Sequence, residues 1–384
     1  MKEKTFLMIP GPTPVPQSVL QEISKHPIGH RSPEFSQIMQ EVFKDLKYVF
    51  QTKNDVFIYA ASGTGAMCAA LENIINPNDK ILCLVIGNFG ERWVKIAKSR
   101  GAIVEILQVN HGEVITQEML ELALKNHPDI KAVTLTHSET STGAANDIKT
   151  LCSIIQKTNA ISIVDGITSL CAMPCKMDEW GIDVLVSGSQ KGFMLPPGLA
   201  FLAASKKAMH LRESCLYPSF YFDWKNHKTS LDKNTTPFTP AVNLIFGLHK
   251  ALQLIKEEGI ENINTRHKKY ALALRKALRA INLDLFIKDD CNASYAITSI
   301  YPPKNIPVPM IRKTLKEDFD ILVANGQGIL EDKIFRIGTL GFICQRDLIA
   351  AISALEATLY KLGHNFSLGN GVNTIIKELN KENK

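Results

Sequence analysis

The sequence lacks the cysteine patterns of a metal protein or of a disulfide-stabilised secreted protein. Its 384 residues include 8 cysteines, and none of them forms a C-x-x-C pair or a zinc-ligand spacing. Most have apolar neighbours, as small buried thiols do in proteins of a reducing compartment. We therefore expect neither a metal centre nor a disulfide framework.

Long apolar segments and basic patches are also missing. The apolar run in MKEKTFLMIPGPTPVP has only four residues before its prolines, too short for the core of a signal peptide. No later segment reaches the roughly 18 uncharged apolar residues of a membrane-spanning helix. The 44 Lys and Arg exceed the 38 Asp and Glu by six, and this surplus is spread along the chain. We expect a cytoplasmic protein without nucleic-acid or membrane partners.

The chain does contain seven short β-rich runs, each bounded by turn residues. Most are almost continuously apolar, which is typical of strands covered by helices on both faces. Segments of about twenty residues with helical spacing separate the first five runs, enough for crossover helices between parallel strands. The runs are VFIYA (56–60), KILCLVI (80–86), IVEIL (103–107), KAVTLT (131–136), ISIVD (161–165), DVLVS (183–187) and LAFLA (199–203).

The last strand and the rest of the chain complete the predicted architecture. Only eleven residues, with two prolines, separate Ser187 from Leu199, so no crossover helix fits and the last strand should run antiparallel. We predict an α/β fold in which residues 16–255 form a large domain with a seven-stranded, mainly parallel sheet. We expect residues 1–15 to form an N-terminal segment that packs at the active site, and residues 256–384 to form a smaller C-terminal α/β domain.

More elements are expected after residue 205. A long helical run covers about 241–280, and a polar tail, KELNKENK, ends the chain. Between them we predict a strand at 294–301, a helix at 310–319, strands at 321–325 and 333–338, and a closing helix at 346–362.

Ligands of open α/β sheets collect at the carboxyl ends of the strands, so the residues that follow each strand are the candidates for a site. Ser62, Gly63 and Thr64 form a turn that leads into a helix and suits a phosphate. The turn is neither a P-loop nor a dinucleotide fingerprint, and a glycine turn capped by Ser62 is the alternative. Asp165 ends an apolar strand, where it either serves a site or caps a turn.

Lys191 follows the next strand, within SGSQKGFMLPPG (187–198). Taken alone, it would be a loop lysine that points to water. However, the phosphate turn, Asp165 and Lys191 would all lie at the same edge of the sheet. Together they match the needs of one cofactor. Pyridoxal phosphate needs a phosphate cradle, a carboxylate at its pyridine nitrogen and a lysine for a Schiff base.

Arg336 interrupts the otherwise apolar strand KIFRIG in the smaller domain. An unpaired guanidinium is costly there, so a structural salt bridge is one explanation. A fork that binds a substrate carboxylate in the cleft between the domains is the other.

The motifs together are similar to those of the class V aminotransferases, which are pyridoxal-phosphate enzymes of fold type I. Within that class the sequence resembles the alanine–glyoxylate and serine–pyruvate (or serine–glyoxylate) aminotransferase group. The resemblance runs in order along nearly the whole chain. Its motifs are PGPTPVP (10–16), GHRSPEF (29–35), SGTGAM (62–67), GNFGERW (87–93), THSETSTG (136–143), VDGITSL (164–170), SGSQKG with PPG (187–198), TPFTPA (236–241) and FRIGTLG (335–341).

The resemblance implies a role for each candidate residue. Lys191 would carry the cofactor and Asp165 would pair with the pyridine nitrogen, while Arg336 would bind the substrate carboxylate. The expected contacts of the phosphate are Ser62, Gly63, Thr64 and Gln190, with Ser189 on the same side. Phe89 and Ile167 would lie at the two ring faces, and Thr140 near the phenolic oxygen. The resemblance also implies a homodimer with shared active sites, in which Thr239 would reach the phosphate of the partner subunit. Thr236 stands where several relatives have a phosphate-contacting tyrosine, and its role stays open.

The implied reaction moves an amino group from alanine or serine to glyoxylate or pyruvate by a ping-pong mechanism. Another donor, such as aspartate, ureidoglycine or aminoethylphosphonate, is an alternative. A lyase of the cysteine desulfurase type is another, for which Cys344 would be the candidate nucleophile. Some family members carry the label of a soluble hydrogenase subunit, so a non-catalytic partner protein also stays open.

Overall fold

The computed structural model of the protein describes residues 5–381. Its large domain is built on a sheet of seven strands. The strands of these residues are β1 (Phe6–Met8), β2 (Val56–Tyr59), β3 (Lys80–Val85), β4 (Ile103–Gln108), β5 (Ala132–Thr136), β6 (Ser138–Glu139), β7 (Ala144–Ala145), β8 (Ile161–Asp165), β9 (Val184–Gly188), β10 (Ala200–Ala204), β11 (Ile297–Ile300), β12 (Ile321–Asn325) and β13 (Phe335–Gly338).

Helices connect and cover these strands, and two short 3-10 turns occur at Asp290–Asn292 and Gly328–Leu330. The helices are α1 (Gln17–Ile23), α2 (Pro33–Phe50), α3 (Gly63–Glu72), α4 (Asn88–Ser99), α5 (Gln117–Asn126), α6 (Ile148–Ile155), α7 (Lys206–Arg212), α8 (Trp224–Leu231), α9 (Val242–Glu258), α10 (Ile260–Ala280), α11 (Val308–Phe319), α12 (Gln345–Lys361) and α13 (Asn370–Leu379).

The large sheet confirms the predicted topology. Its strand order is β2-β10-β9-β8-β5-β3-β4. Strand β10 pairs antiparallel with both neighbours, and the other pairs are parallel. The eleven residues before β10 therefore form a tight return instead of a helical crossover, which places Lys191 in that return, at the carboxyl end of β9.

Alternating side chains explain why this sheet is covered on both faces. In β8, Val164 packs into one apolar core with α2 and α9. Ile161 and Ile163 belong to a second core, which lies under α3 and α4. Because both faces are buried, the strands show the continuous apolar pattern that predicted them.

The smaller domain contains a four-stranded sheet in the order β1-β12-β13-β11. The N-terminal strand β1 pairs parallel with β12, so the start of the chain contributes to the sheet of the C-terminal domain. After β1, the chain turns toward the large domain, and the Thr13 N–H donates to the Gln190 carbonyl at 3.2 Å. Residues 9–13 thus lie between the two domains.

Two sequence predictions about helices are wrong in detail. The helical run over 241–280 is two helices, because Gly259 adopts a φ of 84° between α9 and α10. The tail KELNKENK begins inside α13, a helix that the sequence analysis missed, and its last residues lie outside the described part. No helix within residues 5–381 is long and apolar enough to cross a membrane.

Candidate active site

A cavity of about 310 Å³ lies between the domains, at the carboxyl edge of the large sheet. Ten of the twelve residues predicted for the site line it; Ser189 and Thr239 do not. The lining residues are Pro10, Gly11, Ser62, Gly63, Thr64, Phe89, Arg92, Ser138, Thr140, Asp165, Ile167, Thr168, Gln190, Lys191, Gln327 and Arg336.

Lys191 is 9% exposed, so the interpretation of it as a loop lysine pointing to water is wrong. Its Nζ donates to the Pro10 carbonyl at 2.5 Å. A Cβ at Gly11 would lie 2.7 Å from that Nζ, so a larger residue at this position would displace the amine. Burial, opposed by Asp165 and assisted by Arg336, lowers the pKa of Lys191 to about 8. This amine gives up its proton far more readily than an exposed lysine.

Asp165 ends β8 and is buried. One of its oxygens, Oδ1, accepts the Ile167 N–H at 2.9 Å, as the turn-capping alternative predicts. The carboxylate also lines the cavity, so capping accounts for only part of its environment. Burial is the main reason why the pKa of Asp165 rises to about 7. The Ile167 N–H opposes this rise, the negative charge of Glu139 adds to it, and the positive charges of Arg92 and Lys191 oppose it. A cationic group in the cavity would stabilise its ionised form.

The turn before α3 is arranged to bind an anion. Ser62 occupies the N-cap position, yet its side chain makes no capping hydrogen bond, and the first N–H groups of a helix have no partner within the helix. Gly63 packs so closely that a Cβ would lie 2.7 Å from Ile167 Cδ1. Nearby, the buried Gln190 Oε1 has no hydrogen-bond partner within the described chain. Within residues 5–381, the Gln190 amide oxygen and the first N–H groups of α3 are therefore left for a ligand.

Arg336 projects from β13 and is buried. Its Nε donates to the Asn325 carbonyl at 2.7 Å, and its Nη1 donates to the Thr140 carbonyl at 2.5 Å. No carboxylate within residues 5–381 forms an ion pair with it, so the structural salt bridge considered above is not found there. Burial lowers its pKa to about 10, against the opposing charge of Glu139. The guanidinium is thus a buried cation that lines a cavity and can accept an anionic ligand.

Two charged residues of this region were not predicted from the sequence. Glu139 is fully buried and accepts the N–H groups of Phe89 at 2.9 Å, Gly90 at 3.2 Å and Ser141 at 3.0 Å. It therefore holds the N-terminus of α4, and with it Phe89, beside the turn after β5. Arg92, one helical turn after Phe89, lines the cavity. Both residues lie within the motifs quoted above, but only the structure distinguishes them from surface charges.

Three other residues lie away from the cavity of their own chain. The Ser189 hydroxyl donates to the Pro196 carbonyl at 2.7 Å, so it stabilises the return before β10 and does not face the predicted phosphate side. Thr236 donates to the Phe238 carbonyl at 2.7 Å. Arg31, from the GHRSPEF motif, donates to the Thr236 carbonyl at 2.6 Å. Arg31 thereby fixes the segment that carries Thr239.

These groups fit pyridoxal phosphate. The α3 N-terminus and the unpartnered Gln190 amide oxygen match a phosphate cradle. Asp165 matches a pyridine nitrogen that is kept protonated, and the buried Lys191 amine matches an aldehyde. A cavity that offers these functions together, between the two domains, is that of a fold type I enzyme.

Comparison with known proteins agrees with this class. The family model described as "Aminotransferase class-V" matches residues 5–337, and the chain belongs to the class V aminotransferase family, whose members depend on pyridoxal phosphate. The chain is 46% identical to a protein named soluble hydrogenase, small subunit, from Synechococcus sp., over 97% of each chain. It is 35% identical to serine–glyoxylate aminotransferase of Hyphomicrobium methylovorum, over 98% of this chain and 94% of the relative.

A solved structure supports the fold assignment. The alanine–glyoxylate aminotransferase of Nostoc sp. superposes with a TM-score of 0.90 at 31% identity, over 94% of this chain and 96% of that one. The fold predicted from the sequence is therefore confirmed.

The raised pKa of Asp165 predicts how the cofactor-free protein responds to pH. Because the folded state holds this proton up to about pH 7, it binds more protons than the unfolded state between about pH 4 and 7, and Asp165 becomes increasingly destabilising as pH rises through that window. Asp165→Asn should therefore raise the free energy of unfolding at pH 8 by on the order of 1–3 kcal/mol and change it little at pH 4. Urea unfolding at both pH values measures this.

Asp55 offers a control of opposite sign. Partial burial raises the pKa of Asp55, but the hydrogen bonds from Lys228 and Lys47 together lower it by more. The net shift of the pKa is therefore downward. Asp55→Asn should lose stability at pH 8 relative to the unchanged protein. A stability loss of equal size at both pH values in Asp165→Asn would contradict the assigned pKa.

Proposed function

We propose that this chain binds pyridoxal phosphate through Lys191 and catalyses transamination between a small amino acid, alanine or serine, and a 2-oxo acid, glyoxylate or pyruvate. The single observation that supports this most strongly is the cavity in which three buried residues meet: a lysine of lowered pKa, an aspartate, and an arginine that has no ion pair within residues 5–381. The reaction would be ping-pong, because donor and acceptor use the same residues in turn.

Each side of the cavity would hold a different part of the cofactor. Ser62, Gly63, Thr64 and Gln190 would hold the phosphate, and Thr140 would lie near the phenolic oxygen. Phe89 and Ile167 would contact the two ring faces, while Asp165 would pair with the ring nitrogen. Bound there, the cofactor supplies an electron sink for the electrons released when a proton leaves the substrate Cα.

Arg336 would orient the substrate through its α-carboxylate. Two of its nitrogens are held by backbone carbonyls, while Nη2 makes no hydrogen bond within the described chain. Because Nη1 also donates to Gln327 Oε1 at 3.4 Å, Nη2 is the nitrogen left to donate to a carboxylate. Lysine could not reproduce this planar, fixed geometry. Removing water from a site strengthens such contacts.

Lys191 would move the proton. In its neutral form the amine would take the proton from the substrate Cα as a general base and would then, as a general acid, deliver it to C4′ of the cofactor. Burial lowers the pKa of this amine to about 8, so a useful fraction is neutral near physiological pH. The Pro10 carbonyl, 2.5 Å from Nζ, would hold the amine in place whenever it is not attached to the cofactor.

We also propose a homodimer with shared active sites. Thr239 lies outside the cavity of its own chain and would reach the phosphate of the partner subunit. The segment before it exposes large apolar side chains, including Leu216, Tyr217 and Phe220, the last of which is 78% exposed. Exposed apolar surface of this kind favours an interface.

We also propose a cytoplasmic location. Eight free cysteines are consistent with it.

Other reactions of the same site remain alternatives. A different donor, such as aspartate, ureidoglycine or aminoethylphosphonate, would change only the residues around the substrate side chain. A desulfurase needs a cysteine at the substrate, and none lines the cavity among the described residues; Cys344 instead lies at the N-cap of α12. Sulfide release from cysteine without a 2-oxo acid would favour the lyase.

The relatives named as hydrogenase subunits suggest a non-catalytic partner role as the second candidate. A protein that purifies colourless and does not take up pyridoxal phosphate would favour that role.

Lys191→Ala should abolish repeated turnover, because no other described lysine lines the cavity. The fold should stay intact. Steady-state assays with alanine or serine and glyoxylate measure the loss, expected to be on the order of 10³-fold or more for a general base that also carries the cofactor. Lys207→Ala, a change in α7, is the control and should keep full activity. Repeated turnover by the Lys191→Ala protein would contradict the proposal.

The pH dependence of cofactor uptake tests the same amine separately. Because the neutral amine is the nucleophile, uptake of pyridoxal phosphate by the cofactor-free protein should accelerate up to about pH 8 and then level off. Stopped-flow absorbance measures the rate. An ordinary lysine titrates near pH 10.4, so a rate that still climbs steeply between pH 9 and 10 would contradict the assignment.

Subunit mixing tests the shared site. Thr239→Asp should weaken cofactor binding by charge repulsion against the phosphate, and Lys191→Ala should be inactive. If Thr239 serves the partner, a mixed dimer of the two variants contains one site with both natural residues and regains activity. A mixture that forms dimers by sedimentation but stays inactive would contradict the sharing.

A further inference from the structure

We infer that Arg92 is a positioning residue for the cofactor, a role that rests on the proposed function but adds a residue to it. Arg92 lines the cavity and contacts two of the residues proposed to hold the cofactor, Thr64 and Phe89. These two lie on different walls, one at the α3 N-terminus and the other at the start of α4. A single guanidinium therefore connects the phosphate side with the ring side.

The first contact orients a hydroxyl group. Arg92 Nη1 donates to Thr64 Oγ1 at 2.9 Å. A hydroxyl has one hydrogen and two acceptor lone pairs, whereas a guanidinium only donates. Arg92 thus occupies a lone pair of Thr64 and leaves its hydrogen for another acceptor. The Thr64 hydroxyl donates to no residue within the described chain. A phosphate oxygen in the cavity is therefore the acceptor that this arrangement favours.

The second contact fixes an aromatic ring. The Arg92 guanidinium carbon lies 4.6 Å from the centroid of the Phe89 ring, a cation–π geometry. Phe89 and Arg92 are three positions apart on α4, so they share one face of the helix. Glu139 anchors the Phe89 backbone at 2.9 Å, while Arg92 holds its ring. The ring plane is therefore set before the cofactor arrives.

The charge of Arg92 is also available to the site. No carboxylate within residues 5–381 forms an ion pair with it, and its positive charge partly opposes the effect of burial on the pKa of Asp165. A cation near both the phosphate turn and Asp165 suits a ligand that is anionic at its phosphate. Lysine could supply the charge but could not stack on Phe89 and bond Thr64 with one planar group.

Cofactor affinity tests this inference without relying on turnover. We would measure the dissociation constant of pyridoxal phosphate for the cofactor-free protein by fluorescence quenching, with Arg92→Lys and Arg92→Gln as variants. Arg92→Lys keeps the charge but loses the geometry and should weaken binding by about tenfold, which corresponds to roughly 1.4 kcal/mol. Arg92→Gln should weaken it further. The circular dichroism of the bound cofactor should also change in both variants.

A matched control and a double variant define the outcome. Arg266 also lies over an aromatic ring, that of Tyr270, at 5.8 Å, but it does not line the cavity; Arg266→Lys should leave the affinity within about twofold. In a Thr64→Val background the effect of Arg92→Lys should shrink, because the two residues act through one contact.

The results separate this inference from the proposed function. If the unchanged protein fails to bind pyridoxal phosphate, the proposed function is wrong. If it binds, but folded Arg92→Lys and Arg92→Gln proteins bind equally well, only the role of Arg92 is overturned. Should either variant be too unstable to assay, additive effects of Thr64→Val and the remaining variant would overturn it as well.

Discussion

The structure of the site depends on keeping one lysine amine out of water. Lys191 is buried because the tight return before β10 places it at the carboxyl edge of the sheet and residues 9–13 cover it. An ammonium in that position is costly, and the neighbouring guanidinium of Arg336 makes it costlier, so the pKa of Lys191 falls to about 8. The antiparallel strand, the glycine at position 11 and the Pro10 carbonyl all help to keep the Lys191 amine buried.

The same burial links the two domains. Strand β1 belongs to the small sheet, while the residues directly after it contact Gln190 and Lys191 of the large domain. Arg336 reaches from the small sheet to the Thr140 carbonyl of the large domain at 2.5 Å. The proposed substrate anchor and the proposed base are therefore held by a few backbone contacts that cross the cleft, so small displacements of either domain would change their separation.

Sequence patterns predicted most of this arrangement because buried parallel strands carry a strong signal. Each strand ends in a short loop, so Asp165 and Lys191 could be assigned to one edge from their order alone. The N-terminal strand was not predicted, since a run of four apolar residues is compatible with many structures. Glu139 and Arg92 were missed for another reason: whether a charge is buried depends on contacts between distant segments, here between the turn after β5 and the start of α4.

The most direct test of the account is to locate the covalent attachment of the cofactor. Borohydride reduction of the protein loaded with pyridoxal phosphate should join the cofactor irreversibly to a single lysine, and peptide mass spectrometry identifies that lysine. We expect one modified peptide, with the label on Lys191. A label on another lysine, or an active protein from which no labelled peptide is recovered, would contradict it.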